Sequence, residues 1–448
     1  MNRPLPLLAL GIATLIGVSA AAQEPAPIKF ENYVLPNGLQ VILAENHSAQ
    51  VTEVNVWYHV GSRNEVKGRT GFAHLFEHMM FQGSENVGKA QWSALVAKAG
   101  GSNNGSTTED RTNFFQTVPS NRMNLALWLE ADAMRSLAVT KENFENQRQA
   151  VKEERRLRMD NQPYAVALFE DSYAIFDSST CFPYSHSVIG SMADLDAAKP
   201  EDAVAFHSQH YGPNNATLVV VGDFQATEAK KLIAQYFGDI PRGPAEAPVV
   251  CNQPFNSGSR RRAVKDEKAV LPAAIVVYRI PEYRSRDYAA LELLATIMGQ
   301  GESSRLNRVL SREKRSAVQA FSFLDPFGPR NGPGLFMVAG IANQGVSADT
   351  LDAQIEAEMA RVVATGVTDD ELTKAKNQRR ASVITDRQHV ANVAEALQSA
   401  NQFLGSPDSV NTNSARYNRV TVADMKRVAA KYLVPDNMLV LLVTTGGK

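Results

Sequence analysis

The stretch GFAHLFEHMMF, residues 71–81, places two of the chain's eight histidines four positions apart in an otherwise apolar run. Glycine before the run, with Thr70 as a candidate N-cap, predicts that a helix begins at Phe72. Positions i and i+4 are neighbours on one helical face, so His74 and His78 point the same way. The stretch therefore predicts a buried helix that carries a pair of imidazoles.

Glu77 borders the same face, one residue before His78 and three after His74. Two imidazoles on one face can chelate Zn²⁺, and a carboxylate beside them can serve as a general base toward water. The order H-x-x-E-H is the inverted form of the common zinc-protease helix motif. The alternative is a pair of hydrogen-bonded core histidines beside a surface glutamate. A second close pair, His207 and His210, has no acid between its members and is interpreted as structural.

A third ligand is expected, because catalytic zinc takes three protein ligands and keeps one position open. The segment from Thr140, a candidate N-cap, to Pro163 reads as a helix. Its apolar residues recur at helical spacing: Phe144, Ala150, Val151 and Leu157. Helical phase places Glu154 on this inward stripe and Glu153 on the outward face. A buried carboxylate is energetically costly unless it is paired or metal-bound, so Glu154 is the candidate third ligand. The alternative for Glu154 is a salt bridge to a neighbouring arginine: Arg155, Arg156 or Arg158.

The chain repeats itself. HSQHYGPNNATLVVVGDF resembles AAKYLVPDNMLVLLVTTG, with Tyr211 and Tyr432 221 positions apart, and TEVNVWYHVGSRNE resembles AAIVVYRIPEYRSRD at the same offset. We infer two homologous halves. Strands and helices do not alternate strictly, so each half is predicted to be α+β, with helices on one face of a mostly antiparallel sheet. The predicted organisation is a signal peptide at 1–22, an N-terminal zinc-bearing catalytic domain at 23–242, a linker at 243–265 and a homologous domain without the zinc motif at 266–448.

The first residues, MNRPLPLLALGIATLIGVSAAAQEPAP, combine one positive charge, an apolar run and small residues before Gln23. This pattern predicts a signal peptide cleaved near Ala22, and hence an exported, periplasmic protein. Later segments are too polar for stable membrane insertion, and a net charge of −1 argues against nucleic acid as a partner.

Cys181 and Cys251 are compatible with a disulfide or with two free thiols. Both lie far from the histidine motif, which disfavours a structural zinc site.

These residues resemble the pitrilysin or insulinase family of zinc metallopeptidases, most of all its short processing-peptidase-type members. The family pattern is H-x-x-E-H and then, about 76 residues on, a glutamate ligand in a run like VKEERR. Glu154 lies 76 residues after His78. GGSNNGSTTEDRTNFF is similar to the family's active-site edge strand, and QPYA and GESSRLNRVL also match. The resemblance covers nearly all of the chain after the predicted signal peptide.

The resemblance implies two α+β halves around a cavity that excludes folded proteins, so the expected substrates are unstructured peptides or flexible segments. It implies one zinc ion per chain and these roles: His74, His78 and Glu154 as ligands and Glu77 as general base. Asn104 and Gly105 match edge-strand positions that contact substrate backbone, which fits strand addition by an extended peptide.

Some positions depart from the family pattern. Many relatives have a glutamate seven residues before the ligand glutamate, where this chain has Gln147, which can hydrogen-bond but brings no charge. In the second half, Ala295 and Gly299 stand where the repeat offset would place the histidines. Self-sufficient relatives also carry an arginine and a tyrosine seven apart there; here Arg312 is present but Gln319 replaces the tyrosine.

The missing tyrosine leads to an expectation about partners. We expect the chain to be the zinc-bearing subunit of a heterodimer whose homologous partner supplies the arginine–tyrosine pair. A homodimer, or a monomer with altered substrate handling, stays open. The other function class is a catalytically weak or silent family member that acts as a peptide-binding or scaffold subunit.

Overall fold

The computed structural model describes residues 25–255, 257–325 and 328–446, so the predicted signal peptide lies outside the described residues. The first sheet contains β1 (Glu31–Val34), β2 (Gln40–Glu45), β3 (Val51–Tyr58), β4 (Ser102–Thr107), β5 (Thr112–Pro119) and β6 (Ala216–Gly222). The second contains β7 (Arg260–Asp266), β8 (Ala273–Ile280), β9 (Ala317–Leu324), β10 (Gly334–Ala342) and β11 (Met438–Thr445).

The helices of the first half are α1 (Phe72–Met79), α2 (Gln91–Lys98), α3 (Met123–Ser136), α4 (Lys141–Arg155), α5 (Ala165–Phe169), α6 (Met192–Ala197), α7 (Pro200–His210) and α8 (Ala226–Phe237). Those of the second half are α9 (Tyr288–Gly299), α10 (Ala348–Thr365), α11 (Asp369–Asp386), α12 (Val390–Leu404), α13 (Ser409–Asn418) and α14 (Val422–Tyr432).

The two sheets share one topology. The strand orders are β1-β2-β6-β3-β5-β4 and β7-β11-β8-β10-β9, so that the second sheet repeats the first without a counterpart of β1. Only β2–β6 and β7–β11 run parallel among the described pairs, and the other neighbours are antiparallel. The predicted α+β fold with mostly antiparallel sheets is therefore confirmed, and the matching strand orders account for the sequence repeat.

Each half has a core between its sheet and its own helices, as the amphipathic pattern predicts. The central strands are also buried on their second face, which explains why β6 reads as an uninterrupted apolar run, ATLVVVG. On the first sheet that second face is covered by α12, whose Val393 and Leu397 pack against Ile42 and Val219. Burial of each such side chain contributes about 1.5–3 kcal/mol.

The second sheet is covered in the reciprocal way. Residues 164–184, which belong to the first half by sequence, pack Tyr173 and Phe176 against Ile275 and Val277 of β8. Each half therefore contributes a segment that covers the second face of the other half's sheet. This exchange interlocks the two halves.

The segment between the halves is held to the first half by a disulfide. Cys181 and Cys251 are bonded, which resolves the alternative that the sequence left open. Residues 243–255 contain no helix or strand, and the last part of the predicted linker forms β7, which begins at Arg260.

Gly299 shows why the second half cannot carry a second histidine pair. It ends α9, and a Cβ built there would lie 1.8 Å from the backbone nitrogen of Ser322 on β9. Gly299→Ala is therefore expected to lower the free energy of unfolding by about 1–3 kcal/mol or more, as overpacking does. A Cβ at Gly301 would meet open space, but the residue has φ +79. Gly301→Ala should therefore lower the free energy of unfolding by less, about 1–2 kcal/mol. Denaturant unfolding compares the two; equal stabilities would contradict the close contact of α9 with β9.

Candidate metal centre

Helix α1 positions the two histidines, but its start differs from the prediction. Thr70 is not the N-cap: the helix begins after Gly71, which has φ +88, and the Thr70 hydroxyl donates to Asp194 at 2.5 Å. Glu65 caps the helix instead, because its carboxylate accepts the backbone N–H groups of Gly71 and Ala73 at 2.9 and 2.8 Å. Glu65 lies outside the helix, so no local capping signal marked it.

Helix α4 supplies the third candidate ligand. Thr140 caps it as predicted, its side chain accepting a backbone N–H three residues on. Val151 is buried and Glu153 is exposed, in agreement with the predicted phase. Leu157, however, was wrongly placed on the inward stripe: it is 56% exposed. The cause is a π-helical turn over Arg156–Asp160, whose wider turn ends the 3.6-residue periodicity.

The three predicted ligands meet. Glu154 Oε2 lies 3.0 Å from His78 Nε2 and 3.7 Å from His74 Nε2. One ligand atom from each residue lies within 4.8 Å of the others, and in the described part of the chain no other such group of three occurs. The alternative salt bridge also exists, since Arg158 Nη1 is 3.0 Å from Glu154 Oε1, but Arg158 is 76% exposed and uses the other carboxylate oxygen.

The charge states suit metal binding. The hydrogen bond from His78 lowers the pKa of Glu154 to about 2, and burial lowers the pKa of His74 to about 4. At neutral pH these two are therefore a carboxylate and a neutral imidazole, the forms that ligate metal. Burial alone would lower the pKa of His78, but its hydrogen bond to Glu154 and the charge of Glu77 raise it.

Glu77 is held beside the three candidate ligands rather than among them. Its Oε2 accepts a hydrogen bond from the Thr107 hydroxyl at 2.6 Å, and no described residue donates to its Oε1. Burial raises its pKa. The strand that carries Thr107 approaches closely because Gly105 has no side chain; a Cβ there would lie 3.0 Å from Glu77 Cγ. Sequence reasoning did not identify Thr107, although it lies in the quoted edge-strand motif.

All four residues line a cavity of about 660 Å³, together with Asn104, Gly105 and Gln147. Arg312 does not line it. It lies on a π-helical turn, is 57% exposed and forms an ion pair with Glu302 at 2.5 Å. The structure thus brings every predicted site residue together except Arg312.

The cavity also has residues that the sequence did not reveal. Tyr173 bridges two carboxylates, hydrogen-bonding Glu109 and, at 3.1 Å, Asp325 of the second half. Burial raises the pKa of Glu109, and the charge of Asp325 raises it further. These three residues come from distant parts of the chain, so no spacing rule could have grouped them.

The second histidine pair has ordinary structural surroundings. His207 stacks on Phe76 and on Tyr211, with ring centroids 5.3 and 5.7 Å away, and His210 Nδ1 lies 2.8 Å from Glu246. Both contacts favour the structural interpretation.

His207 should make stability sensitive to mild acid. Burial lowers its pKa from 6.5 to about 4, so the unfolded chain binds the proton first and stability falls as pH drops from about 6.5 to 4. We expect His207→Leu to lose less stability than wild type between pH 7 and pH 5, by about 2 kcal/mol. Urea unfolding at both pH values measures this. An unchanged pH dependence would show that His207 titrates normally in the folded protein.

Comparison with known proteins agrees with this geometry. A family model described as Insulinase (Peptidase family M16) matches residues 40–174, which include all four site residues. A second, described as Peptidase M16 inactive domain, matches residues 197–379. The zinc protease PqqE of Helicobacter pylori is 31% identical over 96% of both chains. The mitochondrial-processing peptidase subunit beta of Blastocladiella emersonii is 23% identical over 91% of this chain and 87% of its own.

Solved structures show the same fold. A protease from Helicobacter pylori superposes with a TM-score of 0.87 at 29% identity, over 93% of this chain and 99% of its own. The periplasmic protease PqqL of Escherichia coli gives 0.75 at 18% identity, over 94% of this chain but 48% of its own. Two matched α+β halves with one HxxEH helix define a peptidase-family protein. The chain belongs to the M16 family of peptidases, which confirms the resemblance to pitrilysin and insulinase, and its relatives are named zinc proteases.

Proposed function

We propose that this protein is a zinc-dependent endopeptidase that hydrolyses unstructured peptides or flexible segments. The observation that carries the proposal is the meeting of His74, His78 and Glu154 with Glu77 at one cavity. Buried imidazole nitrogens and an ionised carboxylate form the donor set that catalytic zinc takes, so one zinc ion per chain fits these residues. When bound, zinc supplies Lewis acidity toward water and the peptide carbonyl.

Glu77 is the general base in this proposal. Thr107 fixes its carboxylate through Oε2, which leaves Oε1 to take a proton from the attacking water and pass it to the departing amine. The raised pKa of Glu77 brings its basicity closer to neutral pH, where proton transfer in both directions is efficient.

Strand β4 is the proposed platform for the peptide. It pairs only with β5 in the described sheet, so its other edge is open beside Glu77. An extended peptide can add to that edge through backbone hydrogen bonds at Asn104 and Gly105. Such binding reads backbone more than side chains, which favours unstructured substrates over a strict sequence.

We also propose that the chain works as one subunit of a two-subunit peptidase. It matches 48% of the length of PqqL, and one relative is named as a subunit of a processing peptidase. Arg312 lies outside the cavity, so this chain does not bring an arginine–tyrosine pair to its own site. A homologous partner would supply the pair; a second copy of the chain is the alternative arrangement.

The alternative function is a silent peptide-binding or scaffold subunit. One observation favours it: residues 197–379, most of which lie in the second half, match a model described as an inactive domain. That half lacks the histidines, whereas the first half keeps the complete set with a positioned Glu77.

A periplasmic location is proposed from the predicted signal peptide and from the location of PqqL. None of the helices in the described residues combines the length and apolarity that a membrane span needs.

The direct test is cleavage of a mixture of unstructured peptides by the purified, zinc-loaded chain, read by mass spectrometry. We expect cleavage that a chelator abolishes and that added zinc restores. Cleavage by a monomer, established by sedimentation in the same buffer, would contradict the need for a partner. A folded, zinc-loaded chain that stays inactive with its homologous partner present would favour the silent alternative.

A further inference from the structure

A second cavity, of about 430 Å³, lies between the two halves and shares no lining residue with the cavity of the proposed peptidase site. It is bounded by one face of α11, one face of α12, β3 and the segment that follows β9. Its lining includes four arginines, two carboxylates and three aromatic rings: Arg111, Arg330, Arg379, Arg387, Asp386, Glu395, Trp57, Tyr283 and Phe403. We call it the arginine cavity.

The arginines of this cavity differ in how far nearby acceptors and carboxylates balance their positive charge. Arg379 forms an ion pair with Glu292 at 2.9 Å. Arg111 donates to the neutral acceptors Ser106 and Asn113, while Glu395 faces the same cavity. Its guanidinium also lies 5.0 Å above the Trp57 ring.

Arg330 differs from the other arginines of the cavity. Within the described residues its guanidinium has no ion pair and no hydrogen bond; it lies over the rings of Tyr283 and Phe403, at 5.1 and 5.9 Å. The charge of Glu292 reaches Arg330, but Glu292 is already ion-paired with Arg379. The two ring contacts contribute only about 0.5–2 kcal/mol each. The lining therefore carries four guanidinium groups against two carboxylates, with Glu292 beside Arg379 as a third, so positive charge is in excess.

The walls indicate what kind of anion would fit. The rings of Trp57 and Phe403 contact each other, with centroids 5.7 Å apart. The Arg111 guanidinium lies over the Trp57 ring and that of Arg330 over the Phe403 ring. Ala396 and Ser399 complete an apolar to weakly polar wall on α12. A volume of this size suits a small molecule, and a ring or aliphatic body would pack on these rings while its charged end meets the guanidinium groups.

We propose that the arginine cavity binds a small organic oxyanion, a carboxylate or phosphate ester on an aromatic or aliphatic body, with Arg330 as its main anchor. The planar guanidinium fork matches the paired oxygens of either group. The site does not depend on zinc or on the peptidase proposal. Carboxylates here include the C-terminal carboxylate of a peptide, which the experiment separates from phosphate esters.

The experiment is calorimetric titration of the full chain with three probes: N-acetyl-phenylalanine, phenyl phosphate and the neutral N-acetyl-phenylalaninamide. We expect at least one anion to bind and the amide to bind at least about tenfold more weakly, since a charge-assisted hydrogen bond contributes about 1.5–3 kcal/mol. If only N-acetyl-phenylalanine binds, the ligand is a carboxylate. If only phenyl phosphate binds, the ligand is a phosphate ester. Absence of binding by both anions, or equal binding of the amide, overturns the proposal.

Two variants locate the site. Arg330→Gln should weaken anion binding at least about tenfold, whereas the matched control Arg308→Gln, at a 51% exposed arginine elsewhere, should leave it unchanged. Arg330→Gln removes two ring contacts of about 0.5–2 kcal/mol each but no described ion pair, so the ligand-free chain should still unfold cooperatively within a few degrees of wild type, which separates lost binding from lost folding. Ser399→Leu, which fills the cavity without altering charge, should also block binding. Undiminished binding by both Arg330→Gln and Ser399→Leu would place the anion elsewhere.

Discussion

Replacing Glu77 with glutamine is expected to abolish peptide cleavage while one zinc ion per chain is retained. Glutamine keeps the shape of the side chain and can still accept the Thr107 hydrogen bond, so the cavity should stay intact. A carboxamide cannot take the proton from water, and loss of a general base typically costs about 10²–10⁴-fold in rate. The measurements are kcat/KM on an unstructured fluorogenic peptide and zinc content by elemental analysis of the same sample.

The matched control is Glu85→Gln, the same substitution at an exposed position eight residues further along the chain. It should retain both zinc and cleavage. If Glu77→Gln cleaves as fast as wild type, Glu77 is not the base. If it instead loses zinc, Glu77 acts as a ligand and the separation of roles inferred from the geometry is wrong.

The parts of the site that the sequence could predict are those with short-range periodicity. The i, i+4 spacing of His74 and His78 and the helical phase of Glu154 each describe one helix, and the structure places these residues as that periodicity requires. The α+β fold was accessible for the same reason, since alternation and the 221-residue repeat are properties of the chain alone. Leu157 marks the limit, because a π-helical turn interrupts the periodicity there.

The parts that the sequence could not predict depend on contacts between distant segments. Glu65 caps α1 from a preceding turn, and Asp325 joins the cavity from the opposite half through Tyr173. The cover of the first sheet by α12 is of the same kind, because its apolar face could equally have packed on its own half. Local propensity contains no information about which half receives a helix; tertiary burial decides it.

Replacing Glu154 with glutamine is expected to have a different signature from Glu77→Gln, because zinc itself should be lost. Glu154 is the one carboxylate in the ligand group, and it also holds His78 through a 3.0 Å contact. A neutral carboxamide supplies neither the charge nor that ion pair. Zinc affinity should fall by more than the roughly 10–100-fold that follows loss of an outer hydrogen-bonding partner.

Two measurements separate the variants. Competition with a chelator should show weakened zinc binding by Glu154→Gln, and excess zinc should recover part of its cleavage, whereas excess zinc should not rescue Glu77→Gln. Glu153→Gln is the matched control, because Glu153 is the adjacent residue of the same helix and is exposed; it should bind zinc as wild type does. Stoichiometric, tightly held zinc in Glu154→Gln would mean that the third ligand lies elsewhere. The helical phase that selects Glu154 over Glu153 would then have no bearing on the metal.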